Sequence, residues 1–285
     1  MVLDLDPNRE GVTPKDAATL VLLRASSMAA SAAEQVTAGF EVFCVERNKK
    51  SRFLGGAIVF PGGRLEDADR DESWMERTTA PRTPEVLRAH GVAACRETLE
   101  EAALLLADQP VDDADVLALR ERLSAEPGAL RAFLAERALR LDLGALYALS
   151  RWITPKVEAR RYDTRFYLAV APAGQTGAHD MTETMASFWA TPRAVLERFE
   201  RSEIQLAPPT HRTLTLLAEH ATLEDVIEST KTVCLEPICP ELVPAEGALA
   251  LVLPGDPAHS LQQSRIAGPS RYVLRGERWR AEDPT

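Results

Sequence analysis

A helix with two unlike sides is the clearest element in this sequence. Thr83-Pro84-Glu85 combines a capping threonine, a proline in the first turn and an acidic residue, so we expect a helix from there to about Ala107. Apolar residues then recur at spacings of three and four, which is typical of a buried stripe. The stripe consists of Val92, Cys95, Leu99, Ala103 and Leu106, and the other side carries Arg96, Glu97, Glu100 and Glu101.

Three carboxylates fall within about one turn of this helix. Glu97, Glu100 and Glu101 would repel one another unless a cation lies among them. Carboxylate oxygens are the ligands that hard divalent cations such as Mg²⁺ and Mn²⁺ prefer. A solvated acidic helix face is the alternative, and these residues alone do not separate the two interpretations.

Strands are predicted before this helix. Residues 17–24 and 40–47 are apolar or alternating runs rich in Val, Leu and Phe, and residues 55–60 form a third run. The third run stops at Pro61-Gly62-Gly63, because proline cannot donate to a strand ladder and glycine permits a positive φ. We therefore expect three strands followed by a tight turn.

The region after the helix alternates between helical and strand patterns. Residues 112–149 have a helical composition interrupted at Pro127-Gly128, so we expect a pair of inserted helices. Further strands are expected at 152–154 and 165–170, a helix from Thr191-Pro192 to about Arg201, and another helix over 210–220. We divide the chain into a domain over 1–205, with insertions at about 70–88 and 111–149, and a C-terminal extension over 206–285 packed on it.

Composition excludes several classes of protein. The 285 residues contain 33 Lys and Arg against 43 Asp and Glu, a net charge of −10, which disfavours binding to nucleic acid or to anionic membranes. The first apolar run, residues 17–23, is too short for a signal peptide or a membrane span. We expect a cytoplasmic protein. Four cysteines without CxxC spacing are interpreted as reduced, buried thiols: Cys44, Cys95, Cys234 and Cys239.

The sequence resembles the Nudix hydrolases, whose box is written G-x5-E-x7-R-E-U-x-E-E-x-G-U with U an aliphatic residue. Residues 96–104 match the second half, and Phe60-Pro61-Gly62-Gly63 matches the opening. Thr98 replaces an aliphatic residue, Ala103 replaces the glycine, and Asp69 has the spacing of the first glutamate. Between Asp69 and Arg96 lie 26 residues instead of seven, so the box contains an insertion.

The resemblance implies a role for each box residue. In the family, the box holds divalent metals that bridge the diphosphate of a nucleoside diphosphate linked to another group, and the metals activate a water molecule. By position, the metal ligands would be Glu97, Glu100, Glu101 and the carbonyl of Gly62. Arg96 would pair with and orient a box carboxylate. The water's proton would go to a box glutamate or to a downstream carboxylate, for which Glu183 is our candidate.

The residues before the box resemble the coenzyme A diphosphatase signature LLTxRSxxxRxxxGxxxFPGG. Arg47, Arg52, Gly56 and Phe60-Pro61-Gly62-Gly63 are in register, whereas the LLT and the serine are replaced. Coenzyme A bears a diphosphate and a separate 3′-phosphate, and a cationic strip could bind these groups. The strip is Arg47, Lys49, Lys50 and Arg52. A solvated basic hairpin is the alternative.

A longer resemblance is to the larger coenzyme A diphosphatase-like proteins, similar to the mammalian peroxisomal members. They have a long loop in the box, a helical insertion after it and a W-x-TP…RxDTxF segment, matched here by residues 152–155 and 161–166. The resemblance spans about residues 17–220. It implies an α/β/α sandwich with a mixed sheet, and a Mg²⁺- or Mn²⁺-dependent hydrolase of coenzyme A or acyl-coenzyme A. The end Asp283-Pro284-Thr285 lacks an SKL-like tail, so a peroxisomal address is not expected.

Other functions remain open at this point. The replaced LLT and serine leave room for another nucleotide substrate, such as ADP-ribose or NADH. Thr98, Ala103 and the longer box leave room for a module that binds nucleotide without hydrolysing it. The apolar periodicity of the helical insertion and of the region after Pro208 suggests a subunit interface, and hence a homodimer.

Overall fold

The computed structural model describes residues 5–6, 9, 11–26, 39–48, 54–123, 125–126, 128–179, 184–245, 247–276 and 278–284. The strands in these ranges are β1 (Lys15–Ala25), β2 (Phe40–Arg47), β3 (Ala57–Val59), β4 (Gly62–Arg64), β5 (Tyr147–Ile153), β6 (Tyr162–Val170), β7 (Thr184–Ala190), β8 (Gln205–Leu206), β9 (Glu241–Ala245), β10 (Ala248–Val252), β11 (Arg271–Arg275) and β12 (Arg278–Glu282). The helices are α1 (Trp74–Arg77), α2 (Arg88–Ala102), α3 (Asp113–Leu123), α4 (Ala129–Glu136), α5 (Pro192–Glu200), α6 (Pro208–Leu217) and α7 (Leu223–Ser229). None of these helices is long and apolar enough to cross a membrane.

A mixed eight-stranded sheet forms the centre of the molecule. Its strand order is β5-β6-β1-β2-β3-β8, with β4 paired to β1 and β7 paired to β2. β1 and β6 are parallel over nine residue pairs, whereas β2 pairs antiparallel with β1, β3 and β7. The long β1 is therefore the central strand, and β4 and β2 share one of its edges.

Helices cover both faces of this sheet. Successive side chains of a strand point to opposite faces, so β1 contributes Leu20 and Leu22 to one core and Val21 and Leu23 to the other. The first core also contains buried residues of α2, α3 and α4, and the second contains buried residues of α5, α6 and α7. The predicted α/β/α sandwich with a mixed sheet is confirmed.

The glutamate-bearing helix α2 is shorter than predicted at both ends. The expected capping threonine forms a turn, in which the Val86 N–H donates to the Thr83 carbonyl, and the helix begins only at Arg88. At the other end Ala103 adopts a left-handed conformation with φ of 49°, which ends the helix at Ala102 rather than near 107. All five members of the predicted stripe are nearly inaccessible, but Ala103 and Leu106 lie beyond the end of the helix.

The helical insertion is also shorter than predicted. Residues 112–149 contain α3 and α4, separated near the expected break, where Gly128 has a φ of 88° and precedes α4. Helical structure then gives way to β5, which begins at Tyr147, so the strand expected at 152–154 is only the end of a longer one. The start of β5 is rich in leucine and alanine, which favour helices, so the sequence there predicts a helix instead of a strand.

Two other predicted boundaries are corrected. The tight turn expected at Pro61-Gly62-Gly63 is limited to Pro61, because Gly62 and Gly63 continue as β4 along β1. The helix predicted over 210–220 begins at Pro208 and ends at Leu217. The helix start at Thr191-Pro192 is confirmed, since the Thr191 hydroxyl accepts a hydrogen bond from the Ala194 N–H at 3.2 Å.

The C-terminal region forms a second, four-stranded antiparallel sheet in the order β12-β11-β10-β9. Leu251, Tyr272 and Trp279 of this sheet are buried in the same core as Val21 of the central strand. The segment before it extends the main sheet, because the Ile153 N–H donates to Ile238 O at 2.8 Å. The C-terminal sheet thus packs on the main sheet, and a domain boundary near 205 stays a prediction.

The cysteines are free thiols, as expected. Cys44 and Cys95 are buried, and burial raises the pKa of each thiol to about 12. Cys239 is half-buried and Cys234 is exposed. The interpretation as small buried residues is therefore correct for Cys44 and Cys95 and wrong for Cys234.

Candidate active site

The predicted box residues line one cleft with a volume of about 970 Å³. Its walls come from α2, the β3–β4 segment, α3, the ends of β5 and β6, the start of α6 and the C-terminal sheet. The predicted site residues that line it are Arg47, Phe60, Gly62, Gly63, Arg96, Glu97, Glu100 and Glu101. The structure therefore brings the two halves of the box together.

Two glycines let the glutamates of α2 approach the sheet. A Cβ atom at Gly62 would collide with the carbonyl of Ala18 on β1, and a Cβ atom at Gly63 would collide with the carboxylate of Glu97. The Gly62 N–H donates to Glu101 Oε2 at 3.0 Å. Glycine at 62 is thus required by the backbone of β1, and glycine at 63 leaves room for the Glu97 carboxylate in its present position.

Arg96 connects the carboxylates of the cleft. Its Nη1 donates to Glu97 Oε1 at 3.0 Å and to Glu100 Oε2 at 3.1 Å. Its Nε and Nη2 donate to the two carboxylate oxygens of Asp69, each at 3.0 Å. The guanidinium therefore binds Asp69 as a two-pronged fork and orients two box glutamates with the remaining nitrogen.

Asp69 lies at the base of this network although the box insertion separates it from α2. Its side chain is only 1% exposed, and it also accepts a hydrogen bond from the Glu66 N–H at 2.9 Å. The insertion folds back on itself, since Trp74 Nε1 donates to the Ala68 carbonyl at 2.9 Å. Sequence spacing after Gly63 pointed to Asp69, but its distance from Arg96 became clear only in the structure.

In this network several carboxylates surround the guanidinium of Arg96, and their charges and burial shift the pKa values of the groups. Burial alone would lower the pKa of Arg96, but its hydrogen bond to Asp69 and the charges of Glu97 and Glu100 outweigh burial and hold it above the ordinary value. Burial raises the pKa of Glu100, although Arg96 opposes this. One arginine therefore compensates the acidic cluster only in part.

The donor set of the cleft suits a hard divalent cation. Three carboxylates lie within about one turn of α2, and oxygen atoms are the ligands that Mg²⁺ and Mn²⁺ prefer. Arg96 takes one oxygen each of Glu97 and Glu100, and Gly62 takes one of Glu101. Over the described ranges, no three His, Cys, Asp or Glu side chains already stand in a metal-binding arrangement. The residues fit an ion by their chemistry, and their oxygens are at present engaged by nitrogen donors.

Of the two arginines in the signature, Arg47 lines the cleft. Its Nε atom is buried and has no hydrogen-bond partner among the described residues. The Gly56 N–H donates to the Arg47 carbonyl at 3.1 Å, and the φ of Gly56 is 74°. Glycine at 56 is therefore explained by its positive φ just before β3, and its contact with substrate stays a prediction.

Two predicted site residues and two lysines of the cationic strip fall outside the described ranges. Arg52 of the signature and Glu183, the candidate downstream base, lie outside the described residues, as do Lys49 and Lys50. Their proposed roles stay predictions.

The cleft has an apolar wall that sequence reasoning did not assign. Its members include Trp152, Phe166, Pro208, Pro240 and Leu251. Trp152 belongs to a segment that the sequence singled out, but Pro240 and Leu251 carry no local signal because they reach the cleft only through packing of the C-terminal sheet. Arg161 of the same motif is structural, since it donates to the carbonyls of Thr154 and Val12.

Comparison with known proteins agrees with this geometry. The family model described as the NUDT19 Nudix domain matches residues 14–90 and 77–217. The acyl-coenzyme A diphosphatase NUDT19 of Gallus gallus is 30% identical, with 76% of this chain and 72% of that protein covered. The Homo sapiens protein of the same name is 28% identical, with 76% and 72% covered.

A solved structure shows the same fold. The Nudix hydrolase from Alicyclobacillus acidocaldarius superposes with a TM-score of 0.64 at 28% identity, covering 76% of this chain and 96% of that one. Hydrolases of this family generally use divalent metal ions. The resemblance inferred from the box is confirmed, and this chain belongs to the Nudix hydrolase family, in the group described by the NUDT19 Nudix domain.

Proposed function

We propose that this Nudix hydrolase cleaves the diphosphate of coenzyme A or acyl-coenzyme A. The products would be 3′-phosphoadenosine 5′-phosphate and phosphopantetheine or its acyl ester. The observation that carries the proposal is one cleft that joins the glutamates of α2 to Arg47, whose buried Nε has no partner among the described residues. Relatives at 28–30% identity are named acyl-coenzyme A diphosphatases.

Each group of residues in the cleft would have its own role in catalysis. Glu97, Glu100, Glu101 and the Gly62 carbonyl would hold Mg²⁺ or Mn²⁺, which when bound supplies charge neutralisation at the phosphoryl oxygens and activation of a water molecule. Arg96 keeps the glutamates oriented. Arg47 would bind diphosphate oxygens through its guanidinium fork.

The attacking water must lose a proton during hydrolysis. A box glutamate or Glu183 would accept it, since a general base must lie within hydrogen-bond reach of the water. The apolar wall would contact the uncharged pantetheine part of the substrate, because small-molecule sites combine apolar walls with a few placed polar groups.

A substrate panel tests the proposal. Purified protein with Mg²⁺ or Mn²⁺ is assayed against coenzyme A, acyl-coenzyme A, ADP-ribose and NADH. We expect the coenzyme A compounds to be turned over most efficiently. Robust turnover of ADP-ribose or NADH without turnover of coenzyme A would reject the substrate and leave a Nudix hydrolase of another nucleotide.

A glutamate variant tests the role of the box. Glu100→Gln combined with Glu101→Gln should lower kcat by about 100-fold or more, because it removes two of the anionic ligands that would hold the divalent ion, and with that ion the neutralisation of phosphoryl charge is lost. Glu126→Gln is the matched control, since Glu126 is exposed and pairs with Arg122. An unchanged kcat in the double variant would exclude Glu100 and Glu101 from the mechanism.

Location and assembly stay predictions. We expect a cytoplasmic protein that binds a small nucleotide, and neither nucleic acid nor membrane, and a homodimer is the open alternative to a monomer. Light scattering checks the assembly, and a strictly monomeric mass would contradict it.

A further inference from the structure

Four of the described arginines line the cleft, and they differ in whether a carboxylate lies beside them. Arg96 binds three carboxylates, and Arg64 Nη2 lies 3.9 Å from Glu66 Oε1. Arg47 and Arg120 also line the cleft, but neither has a carboxylate within 4 Å in the part of the chain that the structure describes. Two positive charges are therefore left for an anionic ligand.

Arg120 lies on α3 of the helical insertion, apart from the box. Its Nη1 donates to the carbonyl oxygens of Ala178 at 2.7 Å and His179 at 3.1 Å. Both acceptors are neutral, so they orient the guanidinium without cancelling its charge. A guanidinium has five N–H donors, and Nε and Nη2 make no bond to any described residue. The guanidinium of Arg120 is thus held in place through Nη1, and its Nε and Nη2 donors remain available for a ligand.

The loop that orients Arg120 is itself firmly anchored. The Ala178 N–H donates to the carbonyl of Ala102 at the end of α2, at 2.7 Å. The buried Gln175 exchanges two hydrogen bonds with the backbone of Leu105. Arg120 is therefore fixed relative to the end of the box helix, and little side-chain entropy would be lost when it binds a ligand.

We propose that Arg120 binds the phosphate monoester on the ribose of the substrate, so that the helical insertion selects nucleotides that carry this third phosphate. The proposal rests on the proposed function, because coenzyme A has a 3′-phosphate distant from its diphosphate. A planar guanidinium matches a dianionic phosphate with two parallel hydrogen bonds. The neighbouring Glu121 also lines the cleft, but it is exposed to solvent and its repulsion is screened.

A matched pair of substrates tests this assignment. Coenzyme A and 3′-dephospho-coenzyme A differ only in the phosphate monoester. Arg120→Gln should raise KM for coenzyme A by about tenfold and leave KM for the dephospho compound unchanged, because one charge-assisted contact is lost. Arg120→Lys should retain part of the preference. Arg122→Gln is the control, since Arg122 lies on the same helix and pairs with Glu126.

Two results would overturn the assignment. If Arg120→Gln raised KM equally for both substrates, Arg120 would serve only to attach α3 to the 178–179 loop. If it changed neither, the monoester would bind elsewhere.

A binding measurement separates this inference from the proposed function. Calorimetry compares 3′-phosphoadenosine 5′-phosphate with adenosine 5′-phosphate, and requires no turnover. We expect the wild-type protein to prefer the first by about tenfold, and Arg120→Gln to abolish the preference. A preference that survives Arg120→Gln, or is absent in the wild type, rejects the assignment. Absence of coenzyme A hydrolysis, with the binding preference intact, rejects only the proposed function.

Discussion

At the scale of single residues, the contact between Asp69 and Arg96 determines how the box is arranged. The guanidinium is 13% exposed and the aspartate 1%, so the pair is shielded from solvent. Breaking a buried pair is costly because it leaves one charge without compensation. Among the described residues, Asp69 is connected to the glutamates of α2 by hydrogen bonds through Arg96, which makes it a positioning residue.

Replacing Asp69 by asparagine should therefore reduce kcat more than it changes KM. We expect a fall of roughly 10- to 100-fold, the usual effect of removing a group that orients metal-binding side chains. Asp69→Glu keeps the charge and should restore part of the activity. Asp67→Asn, in the same turn but exposed, is the control. A change in KM alone would show that Asp69 acts on substrate binding instead.

His90 gives the protein a second residue-level property, a dependence of stability on pH. Burial lowers its pKa to about 4 from the ordinary 6.5, with Arg165 contributing. The unfolded chain therefore binds a proton that the folded protein excludes, so the free energy of unfolding should fall as pH drops from 6.5 to 4.

Replacing His90 by leucine should flatten this dependence by up to about 1.4 kcal/mol per pH unit. Urea denaturation at several pH values between 7 and 4 measures the slope. An unchanged slope in His90→Leu would assign the pH dependence to other groups.

Some residues of the site could be predicted from the sequence, and others could not. Glu97, Glu100 and Glu101 could be grouped because helical spacing places them on one side of α2. Asp69 could be suspected from its spacing but not placed, since a long insertion intervenes. Arg120 carries no sequence signal, because its partners are backbone carbonyls of a distant loop.

At the scale of elements, the end of α2 explains one departure from the Nudix pattern. Ala103 occupies the position of the family's glycine and has a φ of 49°, a conformation that glycine adopts without strain. Ala103 is also buried, so its methyl group contributes packing that glycine would lose.

Two alanine-to-glycine variants of this helix should therefore differ. Ala103→Gly should change the free energy of unfolding by less than about 0.5 kcal/mol, because relief of about 1 kcal/mol offsets about 0.8 kcal/mol of lost burial. Ala94→Gly, in the buried helix interior, should cost about 2 kcal/mol. Chemical denaturation measures both, and equal losses would contradict the role assigned to the left-handed residue.

The sequence predicts most of the longer helices and strands, but it predicts the residues at which they begin and end less well. The first three residues of the stripe on α2 and the capped start at Thr191 are local patterns, and both are confirmed. Thr83-Pro84 has the same cap-and-proline pattern as Thr191-Pro192, but it forms a turn and the helix begins later, at Arg88. β8 and α7 escaped prediction because a two-residue strand and a seven-residue helix carry too little periodicity.

At the scale of the whole molecule, the C-terminal sheet completes the cleft and the core. Leu251 lines the cleft and is buried with residues of β1, while Trp279 belongs to the same core. Because the two sheets share one core, we expect them to unfold together.

Trp279→Ala should lower the free energy of unfolding by about 3–5 kcal/mol. The wild type should show one transition in urea, with circular dichroism and tryptophan fluorescence coinciding. Two separated transitions would show instead that the C-terminal sheet is an independent domain.

The pairing of Ile238 with β5 has a consequence for biosynthesis. An open strand edge can pair with another chain, and this protein covers part of that edge with its own later segment. The ribosome releases β5 well before the segment that protects it. Nascent chains therefore pass through a stage in which the edge is unprotected, and mutations that slow docking of the tail should promote aggregation in cells before they alter the mature enzyme.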